Sequence, residues 1–435
     1  MHDVLDPRDL VLDEAEQRAH SGYDVGTRET DARAAAAAND LDALAAIADA
    51  LASLPLSNSW TYVEPDDEDE LLALADSAPA LPIAEAEIPE RLRGAWLGRT
   101  VGNTMGKPVE GMSPEDVRTY LTAGGDWPQT GYVNLVEPHP AGVGPLHPSA
   151  PESAAGTFTD VPRDDDIDWT ILALFLHERY GSALTTEDIA REWLDRLPFT
   201  QTFTAERAAY RNLIQGRPLS ETATHVNPYR EWIGALIRGD FFGYIHPGNP
   251  AAAARAALVD ARLSHVKNGI YGEQWAAALV AAAFATADAR TALESAQAVV
   301  PAGSRLAEAT RGILDLHASG ADHDEALAWI ALHLGHYNWV HTINNAAIIA
   351  AGLLWGTTFT DAVAKTIAGG NDTDSNGATV GSVYGALHGV ASIPAELVGT
   401  THVHVRSAVG GFDSITVDDL AARTLAVRAQ LGSRG

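Results

Sequence analysis

From Ile88 onward, apolar residues recur at helical spacing: Leu92, Ala95 and Trp96 at the start, residues 276–285 in the middle and residues 346–354 later. Stretches with a period of two are few, and turn signals fall where helices would end, at Tyr180-Gly181, Gly216-Arg217-Pro218 and Pro301-Ala302-Gly303. The pattern predicts an all-α chain. Residues 171–176 (ILALFL) are apolar all round, which a helix tolerates only when other helices surround it. Whatever directly precedes them is therefore held near the centre of the domain. Residues 124–159, rich in Pro, Gly and His, read as a long ordered loop, and loops of that length in compact domains are often functional.

Residues 1–87 read differently, as an acidic, Ala-rich extension ahead of a helical domain spanning residues 88–435. Ala/Leu-rich stretches such as residues 34–52 alternate there with the acidic run 66–70, a composition that favours a solvated segment. A purely solvating tail has no use for Trp60 and Tyr62, so part of the extension is expected to pack on the main body. The 435-residue chain carries a net charge of -29, and its first 90 residues hold 22 acids against 4 bases. A surface this acidic repels phosphate backbones and anionic lipid, so neither nucleic acid nor membrane is an expected partner. Cysteine is absent, which excludes disulfides, thiolate metal sites and thiol nucleophiles. With no leader-like start and no run near the ~18 apolar residues of a membrane span, the chain is expected in the cytoplasm.

Two acidic helix starts carry the candidate chemistry. Asp164, Asp165 and Asp166 directly precede the buried helix; one Asp would be an ordinary N-cap, but three adjacent carboxylates repel one another and cannot all cap. A hard divalent cation on oxygen ligands is the natural compensation. The second start, Gly369-Gly370-Asn371-Asp372-Thr373-Asp374-Ser375, combines a flexible glycine entry, two carboxylates two residues apart and a hydroxyl, followed by a small-residue helix. An Asx-turn is the bland alternative. Together the two starts suggest a two-metal site able to position and activate water. A third segment, Gly102 to Gly111 with Lys107 and Glu110, imitates a phosphate loop, but its spacing is one residue short and Pro108 stands where a Ser/Thr would hold magnesium. Glycines at 94, 98 and 102 recur every four residues and predict close helix packing. His333, His336 and His341 lack a HExxH pattern and read as pocket or core residues; His265, in a turn with Asn268 and Gly269, could equally be a structural cap.

In order along the chain, RGAWLGRTVGNTMGKPVEG, PRDDDIDWTILAL, SHVKNGIYG and GGNDTDSNGATVGSVYGALHG resemble the ADP-ribosylglycohydrolase family over roughly residues 88–395. The resemblance implies an all-α fold, a compact orthogonal multi-helix bundle with two magnesium ions at its centre, manganese being the alternative. It further implies hydrolysis at C1 of a ribose, removing ADP-ribose from a modified protein or small molecule. Carried over by position, the metal ligands are Asp164, Asp165, Asp166, Asp372, Asp374 and Ser375. The proton of the attacking water falls to Asp166 or Asp372, with Glu110 beside the distal ribose. Substrate contacts fall to Gly102, Asn103, His265, Asn268, Gly269 and Gly370. The sequence departs from the family pattern at Asn103, usually Asp, and at Asp164 and Ile167, both usually Thr. Two other readings compete. Asp164-Asp165-x-x-Asp168 also matches the DDxxD motif of a terpene synthase, with Asn371, Asp372 and Ser375 as the start of its second metal motif, although Thr379 stands where that motif needs an acid. A non-catalytic ADP-ribose reader is the third.

Overall fold

The computed structural model describes residues 5–432, which form 22 α-helices, six 3-10 turns and one two-stranded antiparallel ribbon, His404–Val405 with Ile415–Thr416. The architecture is all-α, as the spacing of apolar residues predicts.

Two helices, Ile88–Gly106 and Thr373–His388, run antiparallel through the middle of the molecule. Gly94, Gly98, Gly102 and Gly106 repeat every fourth residue and face Gly385, Gly381, Gly377 and Thr373 in turn. A Cβ added at any of these glycines would come closer than 3.0 Å to backbone atoms of the opposite helix. Residues four apart share one helix face, so the repeat makes a continuous groove with no side chains in it. This close contact fixes the start of helix 373–388 beside the end of helix 88–106, where Asn103, Lys107 and Glu110 sit.

Helix Asp165–Tyr180 brings in the remaining acids. Asp164 is its N-cap and accepts from the Asp166 amide at 3.0 Å, and Ile167, Ile171, Leu172 and Leu174 are fully or almost fully buried. Arg99, in the apolar pattern of helix 88–106, is itself fully buried. Its guanidinium donates to the carbonyls of Asp166 (2.7 Å) and Ile237 (2.6 Å) and to Asp240 Oδ2 (2.7 Å). A buried charge with this many partners is tolerable, and it locks the start of helix 165–180 onto helix 88–106.

The run 34–52 is split. Helix Arg28–Ala38 ends at Asn39, in the left-handed region at φ 55°, and Asp40 caps helix Leu41–Ala52 through the Ala43 amide. With helix Pro7–His20 these two bury a small apolar cluster of their own around Val11, Ala15, Ala32, Leu44 and Leu51. Buried polar contacts tie the extension to the body. Glu64 pairs with Arg305 at 2.8 Å, Arg305 pairs with Glu231 at 2.5 Å, and Gln17 and Ser21 both donate to Glu231. No helix among the described residues is long and apolar enough to cross a membrane.

Candidate functional site

The two acidic helix starts meet. Carboxylate oxygens of Asp164, Asp166 and Asp374 lie within 4.8 Å of one another, and so do those of Glu110, Asp372 and Asp374, so that Asp374 belongs to both groups. Asp166 is held from two sides, accepting from Asn103 Nδ2 at 2.8 Å and from Ser375 Oγ at 3.0 Å. Lys107 Nζ donates to Asp374 Oδ2 at 2.8 Å, lies 3.3 Å from Glu110 Oε2 and pairs closely with Asp164. Asp374 Oδ1 is buried and receives no donor.

Electrostatics follow from that crowding. Burial pushes the carboxyls of Glu110, Asp166 and Asp372 well above the usual carboxylate range, and neighbouring acids push them further. Burial and Asp164 raise Asp165 to about 8. Asp374 is the exception: burial opposes its charge, but Lys107 holds its carboxyl below the ordinary value. Burial also works against the Lys107 ammonium, and Asp164, Asp374 and Glu110 outweigh it. Burial and mutual repulsion thus oppose ionisation of Glu110, Asp165, Asp166 and Asp372 together, an opposition that a further cation would relieve. Oxygen ligands alone, one of them without a donor, suit a hard divalent ion.

Glu110, Asp165, Asp166, Asp372, Asp374 and Ser375 line one side of a cleft of about 650 Å³, its open mouth included. The rest of the lining includes Phe203, Thr204, Glu206, Trp232, Asn338 and Trp339. Thr204 sits at φ 41°, a conformation a β-branched residue rarely takes, at the start of helix Thr204–Ile214. Glu206 is buried and pairs with Arg238, yet burial raises its carboxyl to about 7.

The residues expected to contact substrate are outside the cleft lining. Gly102 belongs to the helix contact with Gly377, and Asn103 lies behind Asp166. Gly370, at φ 64°, makes the turn that leads into Asp372 and packs on Met112 and Pro114. His265, Asn268 and Gly269 are outside the cleft lining. His265 Nδ1 meets Ser264 Oγ at 2.8 Å, Asn268 donates to Glu64 and Glu231, and Gly269 packs on the Arg230 carbonyl. Asp168 turns away from the cluster, accepting from Ser407 Oγ (2.6 Å), the Ala408 amide (3.0 Å) and Arg163 Nε (2.7 Å). A DDxxD set of Asp164, Asp165 and Asp168 is therefore not assembled on one face.

Sequence reasoning passed over Lys107, His147, Glu206 and the aromatic lining. Lys107 was visible only as part of a failed phosphate-loop match. His147 comes from the loop 124–159; its Nδ1 lies 3.4 Å from Glu110 Oε2 and 2.7 Å from Ser149 Oγ. A histidine in a long ordered loop was the available signal.

Residues 84–431 match the sequence model of the ADP-ribosylglycohydrolase family. No curated protein matches. Among solved structures, one described as an ADP-ribosylglycohydrolase-related protein complex is 17% identical, covers 80% of this chain and 99% of its own, and superposes with a TM-score of 0.46. The family match runs from the turn ahead of helix 88–106 into the last helix and takes in every acid of the cluster. This chain belongs to the ADP-ribosylglycohydrolase family.

Proposed function

We propose that the chain is a divalent-cation-dependent glycohydrolase, using magnesium or manganese, that cleaves the bond at C1 of an ADP-ribosyl group and releases ADP-ribose from a modified protein or small molecule. The observation that carries this reading is the gathering of five carboxylates and the Ser375 hydroxyl on one side of a cleft that also has Phe203, Trp232 and Trp339 in its lining. Asp374 Oδ1, buried and without a donor, fits a cation, as does the all-oxygen ligand set. Asp165, Asp166, Asp372, Asp374 and Ser375 would hold the ion. When bound, it supplies positive charge that orients ribose hydroxyls and makes water more acidic.

The side chains divide the remaining work. Asp166 has one oxygen committed to Asn103 and the other to Ser375, so it serves to hold rather than to accept a proton. Asp372 lines the cleft, and among the described residues none of its carboxylate oxygens is tied up by a side-chain donor as those of Asp166 are, which leaves it to take the proton of the attacking water. Water oxygen joins C1, the bond from C1 to the leaving atom breaks through an oxocarbenium-like state, and the leaving group takes up a proton. Glu110, steadied by Lys107 and close to His147, orients a ribose hydroxyl. The aromatic faces offer stacking to flat parts of the substrate.

The test is a panel of N- and O-linked ADP-ribosylated proteins and small ribosyl compounds incubated with the protein and magnesium. Release of free ADP-ribose by the wild type but not by Asp372→Asn is expected. Turnover of a prenyl diphosphate, or tight ADP-ribose binding with no turnover of any compound, would overturn the proposal in favour of a synthase or a reader.

A further inference from the structure

We infer that Lys107 is a built-in cation of the carboxylate cluster, so that the chain takes one divalent ion where its two overlapping acidic groups would otherwise accept two. The inference rests on the cation-dependent reading above and deepens it.

The geometry is specific. Two of the three carboxylates in each group already contact the Lys107 ammonium: Asp164 and Asp374 in one, Glu110 and Asp374 in the other. A divalent ion needs direct oxygen contacts, about 2.0–2.1 Å for magnesium, so an ion seated among Asp164, Asp374 Oδ2 and Glu110 Oε2 would displace the ammonium. Lys107 has nowhere favourable to go. It is 7% exposed, starts a buried turn with Pro108 and Val109, and is absent from the cleft lining. Moving it would strand a buried charge or require the turn to open.

The cleft side is different. Asp374 Oδ1 receives no donor, and Asp165, Asp166, Asp372 and Ser375 reach the cleft beside it. These groups frame one ion position in contact with bound substrate, and Lys107 closes the cluster behind it. Asp374 would then serve both cations, its Oδ2 already accepting from the ammonium and its Oδ1 left for the metal.

Titration of the full-length protein with Mn2+, counting free ion by electron paramagnetic resonance, tests this without measuring activity. One bound ion per chain is expected for the wild type and for Lys107→Arg, which keeps the charge. Lys107→Met keeps the length of the side chain but not the charge, and its stoichiometry should rise from one to two, with the fold checked by circular dichroism. Two ions per wild-type chain would overturn the inference while leaving the cation-dependent reading intact. A folded Lys107→Met that still binds one ion would do the same. No bound ion in the wild type would overturn both. Should Lys107→Met fail to fold, the wild-type count decides alone.

Discussion

Asp166 and Asp168 are two positions apart on one helix, about 200° around its axis at 3.6 residues per turn, and so they serve opposite faces. Asp166 meets Asn103 and Ser375 in the cluster, whereas Asp168 is tied to Ser407, Ala408 and Arg163. That an acidic helix start joins a carboxylate cluster was legible from three adjacent carboxylates. Which acids belong to it depended on helix phase and on Ser407, 239 positions away, and no local pattern announces such a partner. Two outcomes separate the roles. Asp374→Asn should abolish Mn2+ binding while the fold persists. Asp168→Asn should keep Mn2+ binding but lose about 1–3 kcal/mol in urea unfolding, since a buried, charge-assisted set of hydrogen bonds is weakened. Glu206 adds a pH dependence. Burial raises its carboxyl from 4.5 to about 7, so the folded chain holds this proton to higher pH than the unfolded chain does. Its contribution to stability therefore falls as pH climbs from about 4.5 to about 7. Glu206→Gln removes the titration, and the variant should gain on the wild type by up to about 3 kcal/mol between pH ~5 and ~8. An unfolding difference that does not change with pH would contradict this.

Among the elements, the glycine-lined helix pair sets the positions of the carboxylates. The four-residue glycine spacing in helix 88–106 predicted a close helix contact, and the small residues following Ser375 were equally visible. What the sequence does not state is that the two match each other, with Gly98 against Gly381 and Gly102 against Gly377. Gly98→Ala or Gly381→Ala places a methyl group on a facing backbone carbonyl, where no flexible side chain can yield. Each should cost about 1–3 kcal/mol or more in denaturant unfolding. Each should also weaken Mn2+ binding, because the shift carries Asp372 and Asp374 away from Asp166. The loop 124–159 was readable as ordered, but its placement of His147 against Glu110 depends on a backbone contact from His147 to the Pro108 carbonyl at 3.0 Å.

At the scale of the whole molecule, the charge of the extension proves partly structural. Its composition reads as solvated, yet Glu64 is buried against Arg305, 241 positions away, and Asp66 accepts from the Lys267 amide. Pairing over that distance is invisible to composition. Glu64→Ala leaves Arg305 with Glu231 as its remaining carboxylate partner and should lower stability by about 1–3 kcal/mol, read as a fall in thermal midpoint. The extension also covers the turn holding His265, Asn268 and Gly269, with Glu64 and Asp66 on that surface. In the proposed function the carboxylate cluster carries the chemistry and depends on a cation. The most direct measurement is ADP-ribose release from an ADP-ribosylated protein by metal-stripped wild type, in EDTA and then with excess magnesium. Release is expected to be absent in EDTA, to return with magnesium and to stay absent in Asp372→Asn. Equal release in EDTA and in magnesium would contradict it.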